Sequence, residues 1–368
     1  MNTDIISDFE VGLDYVSVAT DINDASHVVG YTYYHNRFRP GWLWSAEKGR
    51  ISIQDGPEMF DTHAILPTSI NNAGQVALYR KTTDYGSWSG VWSEKSGLIF
   101  LESSVYYQSN AALGINNLGQ VVGYTDFSSE PIFDELGEFV FIDEWNYQAV
   151  LWNSNTGERI SLGVLPGQER SSAHVINDAG LILGSSYNHS ENAGFFDIVW
   201  SQDTGMVEIS TFIGADRVYG IDINNSNQIL GYSWDSNGGR NFVWSQSTGM
   251  IRLPSNILAR KFNDVGQVIG SCDGRPCLWS QRTGLVDIIS LIDPSLNWEL
   301  LSLTGINNKG QIIGQGYTRN EDSYFDVVRP FLLTPRTISK TVPEPNTIGG
   351  ILLVGMGLTY LRRRQRQL

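Results

Sequence analysis

Short apolar segments alternate with polar turns along most of the chain, and one such pairing returns seven times. In most copies the turn reads Ile-Asn-Asn or Ile-Asn-Asp, and a β-branched or apolar run follows it. The anchoring asparagines are Asn23, Asn71, Asn116, Asn177, Asn224, Asn263 and Asn307. Their successive spacings of 48, 45, 61, 47, 39 and 44 residues fit a small four-stranded unit, and the step of 61 marks an insertion.

Each repeated phrase has the composition of a tight hairpin. Three residues after the asparagine lies glycine in five copies, Asn227 in one and Ser26 in the first. Glycine and asparagine tolerate a left-handed backbone, so we expect a three-residue loop that closes with a bulge. The runs that follow, such as Val121–Gly123, predict the returning strand.

A second hairpin follows in every unit except the last. A short apolar strand ends in tryptophan, and a glycine lies five residues later beyond polar residues, which predicts another turn. The tryptophans are Trp44, Trp92, Trp152, Trp200, Trp244 and Trp279. Because they occupy one fixed strand position, we interpret them as packing between sheets and not as a carbohydrate platform.

Two hairpins per unit and seven units predict an all-β protein, a seven-bladed β-propeller of four-stranded blades. An irregular β-solenoid is the main alternative. The propeller should span residues 1–336, with repeats that begin near residues 18, 66, 111, 172, 218, 258 and 302. The last unit lacks the tryptophan and its turn, so we expect residues 4–8 to pair with residues 326–334 as the fourth strand of the last blade.

Composition narrows the classes of function. The 368 residues carry a formal net charge of -14, although Arg362, Arg363, Arg364 and Arg366 cluster at one end. The folded part is therefore more acidic still, and it should repel the phosphates of nucleic acids. Cys272 and Cys277 are the only cysteines. They face each other across a short connection, where a disulfide would imply an oxidising compartment, and two reduced thiols are the alternative.

The last 32 residues change in character. Residues 337–346 form a spacer, residues 347–361 are largely apolar and predict a sorting or transmembrane helix, and residues 362–368 are basic. The apolar run is short for a membrane span. The arginines beside it would hold the C-terminus in the cytoplasm and leave the propeller outside.

This tail resembles the PEP-CTERM sorting signal of Gram-negative bacteria. The resemblance rests on Pro343, Glu344 and Pro345, the apolar segment, and Arg362, Arg363 and Arg364 in that order. It implies that an exosortase-type membrane protease recognises and cleaves the tail near Pro-Glu-Pro. The protein would then lie in the inner membrane transiently, and afterwards at the cell surface or in the extracellular matrix. A protein that stays tethered to the membrane is the alternative.

The repeats are similar to those of the HAF family of extracellular repeats. Residues 115–123 read Ile-Asn-Asn-Leu-Gly-Gln-Val-Val-Gly, and Val150–Trp152 supplies the following Leu-Trp of that pattern. Membership would imply export and no catalytic residue. Residues 1–10 lack the basic start and the apolar core of a secretory signal, so we expect the true start to lie upstream or the signal to have been removed.

The connections from the second to the third strand of each unit, and from the fourth strand to the next unit, should share one face of the disc. These connections are rich in aromatic residues. Such side chains can stack on sugar rings or anchor a surface protein, and capping of the blades is the alternative. The predicted ligand face comprises Tyr33, Tyr34, Tyr85, Trp88, Phe127, Trp145, Tyr187, Trp234 and Tyr317. The insertion between Asp126 and Gln148 is acidic and aromatic, and we expect an extended hairpin with a solvated face.

No motif for catalysis, for a metal or for a cofactor stands out. The five histidines lack paired metal spacing, and no serine elbow or calcium loop is present. We therefore predict a binding or structural module that is not an enzyme and takes no cofactor. A propeller hydrolase or lyase acting on extracellular polysaccharide is the alternative, because paired carboxylates converge in space and not in sequence.

Overall fold

Every Ile-Asn turn joins two antiparallel strands, and every polar turn after a tryptophan joins the next two. The computed structural model describes residues 15–34, 37–38, 40–53, 64–81, 87–101, 110–126, 146–188, 194–236, 238–318, 328–336 and 357–359. Within these ranges the strands form seven antiparallel sheets of consecutive strands. Each sheet is one blade.

The strands follow one another in chain order. Blade 1 contains β1 (Tyr15–Ile22), β2 (Val28–Tyr34), the short β3 (Arg37–Phe38), β4 (Gly41–Ser45) and β5 (Gly49–Ile53). Blade 2 contains β6 (Ala64–Ile70), β7 (Val76–Lys81), β8 (Ser87–Ser93) and β9 (Gly97–Phe100). Blade 3 contains β10 (Asn110–Ile115), β11 (Gln120–Asp126), β12 (Tyr147–Asn153) and β13 (Arg159–Gly163). Blade 4 contains β14 (Arg170–Ile176), β15 (Ile182–Tyr187), β16 (Phe195–Ser201) and β17 (Gly205–Glu208), followed by helix α1 (Ile209–Ile213).

The remaining blades repeat the plan. Blade 5 contains β18 (Val218–Ile223), β19 (Ile229–Asp235), β20 (Gly238–Ser245) and β21 (Gly249–Arg252). Blade 6 contains β22 (Ile257–Phe262), β23 (Val268–Cys272), β24 (Arg275–Ser280) and β25 (Gly284–Asp287), followed by two 3-10 turns, Ile289–Leu291 and Pro294–Leu296. Blade 7 contains β26 (Trp298–Ile306), β27 (Ile312–Thr318), β28 (Arg329–Arg336) and β29 (Gly357–Thr359).

The first strand of each blade lies nearest the central axis. Each of these strands contacts the first strand of both neighbouring blades, and β26 contacts β1, so the array closes on itself. The prediction of a seven-bladed β-propeller is therefore confirmed, and the β-solenoid is rejected.

Seven hydrophobic clusters form the core, one at each interface between blades. In the cluster between blades 2 and 3, Trp152 is fully buried against Ala77 and Val91. Trp200 packs in the same way on Val122 of blade 3. Trp44, Trp92, Trp244 and Trp279 occupy the equivalent position in their own interfaces. The repeated tryptophans thus hold neighbouring sheets together, as the sequence pattern indicated.

The repeated turns have the predicted geometry. The residue three positions after the asparagine has a positive φ in all seven copies, including Ser26 (67°) and Asn227 (54°). The glycine of the following strand is required for a different reason. A Cβ at Gly123 would lie 1.8 Å from the Ala111 carbonyl oxygen of the paired strand, so no side chain fits there.

The last blade corrects one prediction. The apolar segment 347–361 was expected to form a helix, but Gly357–Thr359 is a strand that pairs with Thr334–Arg336 of β28. The exposed edge of a three-stranded blade offers backbone donors and acceptors, which favours a strand there. The predicted closing segment, residues 4–8, lies outside the described residues. Among the residues that the structure describes, no helix has the length and apolar character needed to cross a bilayer.

Hydrogen bonds between successive turns close the wheel at the axis. The anchoring asparagines are 2–5% exposed. The side-chain amide nitrogen of each one donates to the backbone carbonyl of the anchoring asparagine in the next blade, over 2.9–3.1 Å. The seventh bond runs from Asn307 to Asn23, which is 284 residues away in the chain. We call this closed set the asparagine ring.

A second ring surrounds the first. It is formed by the residue that directly follows each anchoring asparagine. The side-chain Oδ1 of this residue accepts a hydrogen bond from the backbone N–H of the equivalent residue in the preceding blade, over 2.7–2.9 Å. These residues, the outer Asx ring, are Asp24, Asn72, Asn117, Asp178, Asn225, Asp264 and Asn308. Two adjacent polar positions per repeat therefore join each blade to its neighbours.

Replacement of one ring asparagine should destabilise the whole wheel. The Asn116 side chain accepts two backbone N–H groups of its own turn and donates to Gln120 and to the Asn177 carbonyl. Asn116→Ala leaves these buried groups without partners, so we expect the free energy of unfolding to fall by about 3 kcal/mol. Chemical denaturation measures it. Leu118→Ala, in the same turn at a side chain 61% exposed, is the control and should stay within about 0.5 kcal/mol. Equal effects of the two changes would contradict a structural role for the ring.

Candidate functional site

The asparagine ring surrounds a polar cavity of about 180 Å³ at the axis. In five of the seven blades the residue two positions before the anchoring asparagine lines this cavity, namely Asp21, Ser69, Asp222, Lys261 and Gly305. These residues differ from blade to blade. The cavity therefore combines a repeated hydrogen-bonded frame with side chains that are specific to this chain.

Charged side chains in the axial cavity form an ion pair and hydrogen bonds within its wall. Lys261 Nζ lies 3.2 Å from Asp222 Oδ1, and the Asp222 carboxylate raises the pKa of Lys261, which keeps the ammonium charged. Asp21 accepts hydrogen bonds from Ser69 Oγ and from the Ile70 backbone N–H, both over 2.9 Å. Burial raises the pKa of Asp21. These contacts tie blade 1 to blade 2 and blade 5 to blade 6.

Metal binding finds no support in this cavity or elsewhere in the described part of the chain. Within it, no three histidine, cysteine, aspartate or glutamate side chains are grouped so that they could hold a metal ion. The acidic groups of the outer Asx ring are used to accept backbone and amide N–H groups.

A larger and more apolar cavity, of about 620 Å³, lies on the same side of the wheel. It extends around the turn Ser280–Thr283 of blade 6 and is lined by Val243, Trp279 and Leu278, which belong to the interblade clusters. Its walls are thus the ends of the core between blades 5, 6 and 7.

The opposite side of the wheel carries tyrosines on four consecutive blades. Tyr31 and Tyr33 come from β2, Tyr79 from β7, Tyr124 and Tyr147 from β11 and β12, and Tyr187 from β15. All six side chains are half-buried. We call this set the tyrosine cluster. It lies where the second strand of each blade ends and its connection to the third begins.

The rings are close enough to influence one another. Tyr124 and Tyr147 make an edge contact with 5.1 Å between ring centroids, and Tyr31 and Tyr33 are 6.5 Å apart. Burial raises the pKa of Tyr124 to about 12, and the phenols of Tyr147, Tyr79 and Tyr187 add to the shift. Burial also raises the pKa of Tyr31, with added effects of Tyr33 and Tyr79. The raised pKa values keep the phenols of Tyr31, Tyr79, Tyr124 and Tyr187 neutral at physiological pH, and a neutral phenol can both donate and accept hydrogen bonds.

The structure brings only part of the predicted ligand face together. Tyr33 and Tyr187 belong to the tyrosine cluster, and the Tyr187 ring stacks on Phe195 at 5.7 Å. Trp234 is 52% exposed beside Tyr232 on blade 5, and Tyr317 lies on β27 of blade 7. Tyr85, Phe127, Trp145 and the side chain of Tyr34 lie outside the described residues.

Trp88 has a packing role. Its ring lies 4.6 Å from Phe100 and 5.3 Å from the Arg80 guanidinium, against the cluster between blades 1 and 2. Such a position matches the alternative reading, in which aromatic residues cap the blades.

Sequence reasoning missed most of the tyrosine cluster, although a signal was present. Tyr31, Tyr79 and Tyr124 each lie eight residues after an anchoring asparagine, as does Tyr232. That position is inside the second strand, whereas the prediction considered the connecting loops. Repetition at a strand position was read as core packing for the tryptophans and was not tested for the tyrosines.

Polar side chains of the third strand lie beside the repeated tyrosine position of the second strand and meet the first strand of the next blade. Asp197 Oδ2 accepts the Gly220 N–H over 2.9 Å between blades 4 and 5. Asn241 Oδ1 accepts the Ala259 N–H over 3.0 Å between blades 5 and 6, and Asn241 Nδ2 donates to the Gly231 carbonyl. In these interfaces the buried polar side chains have their partners.

Comparison with known proteins supports the fold. No protein-family model matches the chain, and neither does any curated protein sequence. Among solved structures, an oligogalacturonate lyase from Vibrio parahaemolyticus is similar with a TM-score of 0.53 and 8% identity, over 86% of this chain and 90% of that one. The β-propeller domain of the Trilobed protease from Pyrococcus furiosus, which has an open velcro topology, is similar with a TM-score of 0.53 and 9% identity, over 87% and 95%.

An acylaminoacyl peptidase from Pyrococcus horikoshii is similar with a TM-score of 0.54 and 12% identity, over 87% of this chain. This chain covers 51% of the peptidase, about half its length. At such identities the similarity shows a common fold and nothing about the chemistry of this chain.

These structures correct the prediction that the chain is not an enzyme. The prediction relied on the lack of catalytic motifs in a repeated propeller sequence. A lyase and a peptidase share the fold, so a propeller sequence is no argument against catalysis.

The buried carboxyl of Asp197 should make stability depend on pH. Burial raises its pKa from 3.8 to about 6, and the hydrogen bond from Gly220 partly offsets the rise. The folded protein thus binds this proton more tightly than the unfolded chain does. The stability that protonation contributes is complete below about pH 3.8 and is lost as the pH rises through about 6.

Asp197→Asn keeps the oxygen acceptor and removes the ionisation. We therefore expect its melting temperature to rise relative to that of the unaltered protein as the pH increases from about 4 to about 7. Calorimetry across this range measures the difference. Asp203→Asn, which removes an exposed carboxyl of the same blade, is the control for the loss of one negative charge from blade 4. A constant difference for Asp197→Asn would contradict the raised pKa.

Proposed function

We propose that this protein is exported and binds an extracellular polysaccharide through the tyrosine cluster. The observation that carries the proposal is the continuous set of half-buried tyrosines on four consecutive blades. Such rings offer flat apolar faces for stacking on sugars at a low cost in side-chain entropy. Their neutral hydroxyls supply hydrogen bonds to sugar hydroxyls at the ring edge.

The charge of the chain agrees with this class of ligand. A net charge of -14 disfavours nucleic acids, whose binding depends on neutralised phosphates. Stacking on a sugar ring requires no net charge. A surface protein that presents aromatic or apolar side chains is the alternative partner at the same cluster.

Export is the second part of the proposal. We infer it from the repeats that resemble the HAF family and from the tail that resembles a PEP-CTERM signal. The bond between Cys272 and Cys277, with 5.8 Å between their Cα atoms, agrees with an oxidising compartment. In this proposal an exosortase-type protease in the inner membrane of a Gram-negative bacterium cleaves near Pro343–Pro345. The product reaches the cell surface or the extracellular matrix.

Loss of one central tyrosine should weaken glycan binding. On a glycan array and by titration calorimetry, we expect Tyr124→Ala to bind the recognised glycan about tenfold more weakly, because one stacking surface is lost. Tyr124→Phe should retain most of the affinity, since it keeps the ring. Tyr219→Ala, at a tyrosine of blade 5 that is 49% exposed and outside the cluster, should bind like the unaltered protein. If folded Tyr124→Ala bound the glycan with unchanged affinity, the assignment of the site would be contradicted. If new reducing ends formed in the same mixtures, the protein would also cleave the glycan that it binds.

A change in the sorting motif should stop delivery to the surface. Glu344→Ala alters Pro-Glu-Pro and keeps Gly357–Thr359, which form the fourth strand of blade 7. We expect the altered protein to accumulate at full length in the inner-membrane fraction, whereas the unaltered protein appears at the surface without its tail and therefore without the strand Gly357–Thr359. Cell fractionation with mass spectrometry of the C-terminus measures both. Glu299→Ala, at a partly exposed glutamate of blade 7 outside the tail, is the control and should be sorted normally. Identical fractionation of Glu344→Ala and the unaltered protein would overturn this part of the proposal.

A further inference from the structure

One fully buried side chain of the interface between blades 2 and 3 makes no hydrogen bond. Asn110, the first residue of β10, is 0% exposed, and neither its amide oxygen nor its amide nitrogen has a partner. A buried amide without partners costs stability, commonly about 1–3 kcal/mol for each group. Native proteins rarely keep such a group without a use for it.

Strand register shows what Asn110 faces. It pairs with Thr125 and shares one side of β10 with Ala112, which belongs to the cluster between blades 2 and 3. On blade 2, Tyr79 pairs with Ser89, and Ala77 pairs with Val91. Ala77 and Val91 belong to the same cluster as Ala112. Tyr79 and Ser89 therefore lie on the side of blade 2 that faces Asn110.

The two blades touch at this point. Ser87 Oγ donates to the Asn110 backbone carbonyl over 2.8 Å. Ser89 is 2% exposed, and its hydroxyl also has no hydrogen-bond partner. Two unpartnered polar side chains thus lie in one interface, and Ser89 is the cross-strand neighbour of Tyr79 of the tyrosine cluster.

The fold does not require a polar residue at this position. In each blade, one residue of the first strand pairs with the residue that lies nine positions after the anchoring asparagine. This first-strand residue is apolar in four blades, namely Ile65, Val218, Ile257 and Leu300. In the other two it is a bonded serine: Ser17 Oγ contacts Thr32 Oγ1 over 2.8 Å, and Ser171 Oγ donates to the Gly163 carbonyl over 2.6 Å. Asn110 is the unbonded member of the described set.

We propose that Asn110 is a specificity-determining residue that binds two neighbouring hydroxyls of the polysaccharide. This inference rests on the proposed function and deepens it. The amide oxygen accepts from one hydroxyl and the amide nitrogen donates to the next, a pairing that a vicinal diol satisfies. Ser89 Oγ adds a third polar contact, and the tyrosines stack on the sugar. Since Asn110 has no exposed surface in the free protein, binding includes a movement of neighbouring side chains that exposes its amide.

The test uses stability and binding together, with the full chain. Asn110→Leu replaces an unpartnered amide by an apolar group of similar size, as in the four apolar blades. We expect its melting temperature to stay the same or to rise, and its affinity to fall at least about tenfold. The probes are cellotriose, mannotriose, chitotriose and the trimer of galacturonic acid, each titrated by calorimetry. Asn110→Ser, the residue type of blades 1 and 4, is the second variant and should fold normally and bind weakly.

Asn241→Leu is the matched control. Asn241 is 2% exposed, and both its amide oxygen and its amide nitrogen are bonded. Its replacement should lower the melting temperature and leave the affinity of the folded protein unchanged.

Each outcome has a distinct meaning. Binding that Asn110→Leu and Asn110→Ser leave unaltered would overturn the role of Asn110 and leave the tyrosine site intact. A fall in melting temperature as large as that of Asn241→Leu would show that bound water satisfies Asn110 in the free protein, which also overturns the proposal. No binding of any probe by the unaltered protein would contradict the proposed function, and the role of Asn110 in it.

Discussion

A ring of seven hydrogen bonds between asparagine side chains and backbone carbonyls is the constraint on which the rest of the structure depends. Each anchoring asparagine shapes its own turn with Oδ1, which accepts the backbone N–H four residues later. In five blades it also accepts the N–H two residues later, as at Asn116. With Nδ2 the same side chain reaches the next blade. Turn geometry and the angle between blades are therefore set by one residue, and the outer Asx ring repeats the arrangement one position later.

This arrangement divides the wheel into a constant side and a variable side. On the side of the rings, two polar positions per repeat are committed to contacts between blades, so substitution there costs several hydrogen bonds at once. On the other side, the second strands carry tyrosine at one fixed position in four blades, namely Tyr31, Tyr79, Tyr124 and Tyr232, but Ser185, Ser271 and Gln315 in the other three. Because the rings and the interblade clusters already hold the blades, residues at this position can differ without a loss of closure. Variation of this kind is what a binding surface requires.

The sequence predicted local structure better than contacts between repeats. Alternating apolar runs and polar turns were sufficient to predict the strands. Side chains that alternate between the two faces of a strand, and a glycine at a positive φ in a turn, each leave a pattern within a few neighbouring residues. The asparagine ring was not predicted, because the partners lie 39–61 residues apart in six of the bonds and 284 apart in the seventh, and the phrase already had an explanation as a turn. In the tail, the apolar character of residues 347–361 suggested a helix. The edge of β28 instead offers Gly357–Thr359 a partner that a sequence pattern does not reveal.

Asn110 shows most clearly what a single sequence cannot reveal. An asparagine at the start of a strand reads as a polar edge residue, and only the packing of blade 2 against blade 3 makes it a buried amide without partners. In the equivalent layer, Asp197 and Asn241 reach the backbone of the next blade, and each is thereby satisfied. Ser89 is too short a side chain to do the same for blade 3, which leaves polar capacity on both sides of one interface. The closed rings distribute the stability of the wheel over all seven blades, so one unsatisfied amide is tolerable. In the proposed function, this interface supplies the donors and acceptors, and the neighbouring tyrosines supply the flat apolar surface, that binding of a sugar requires.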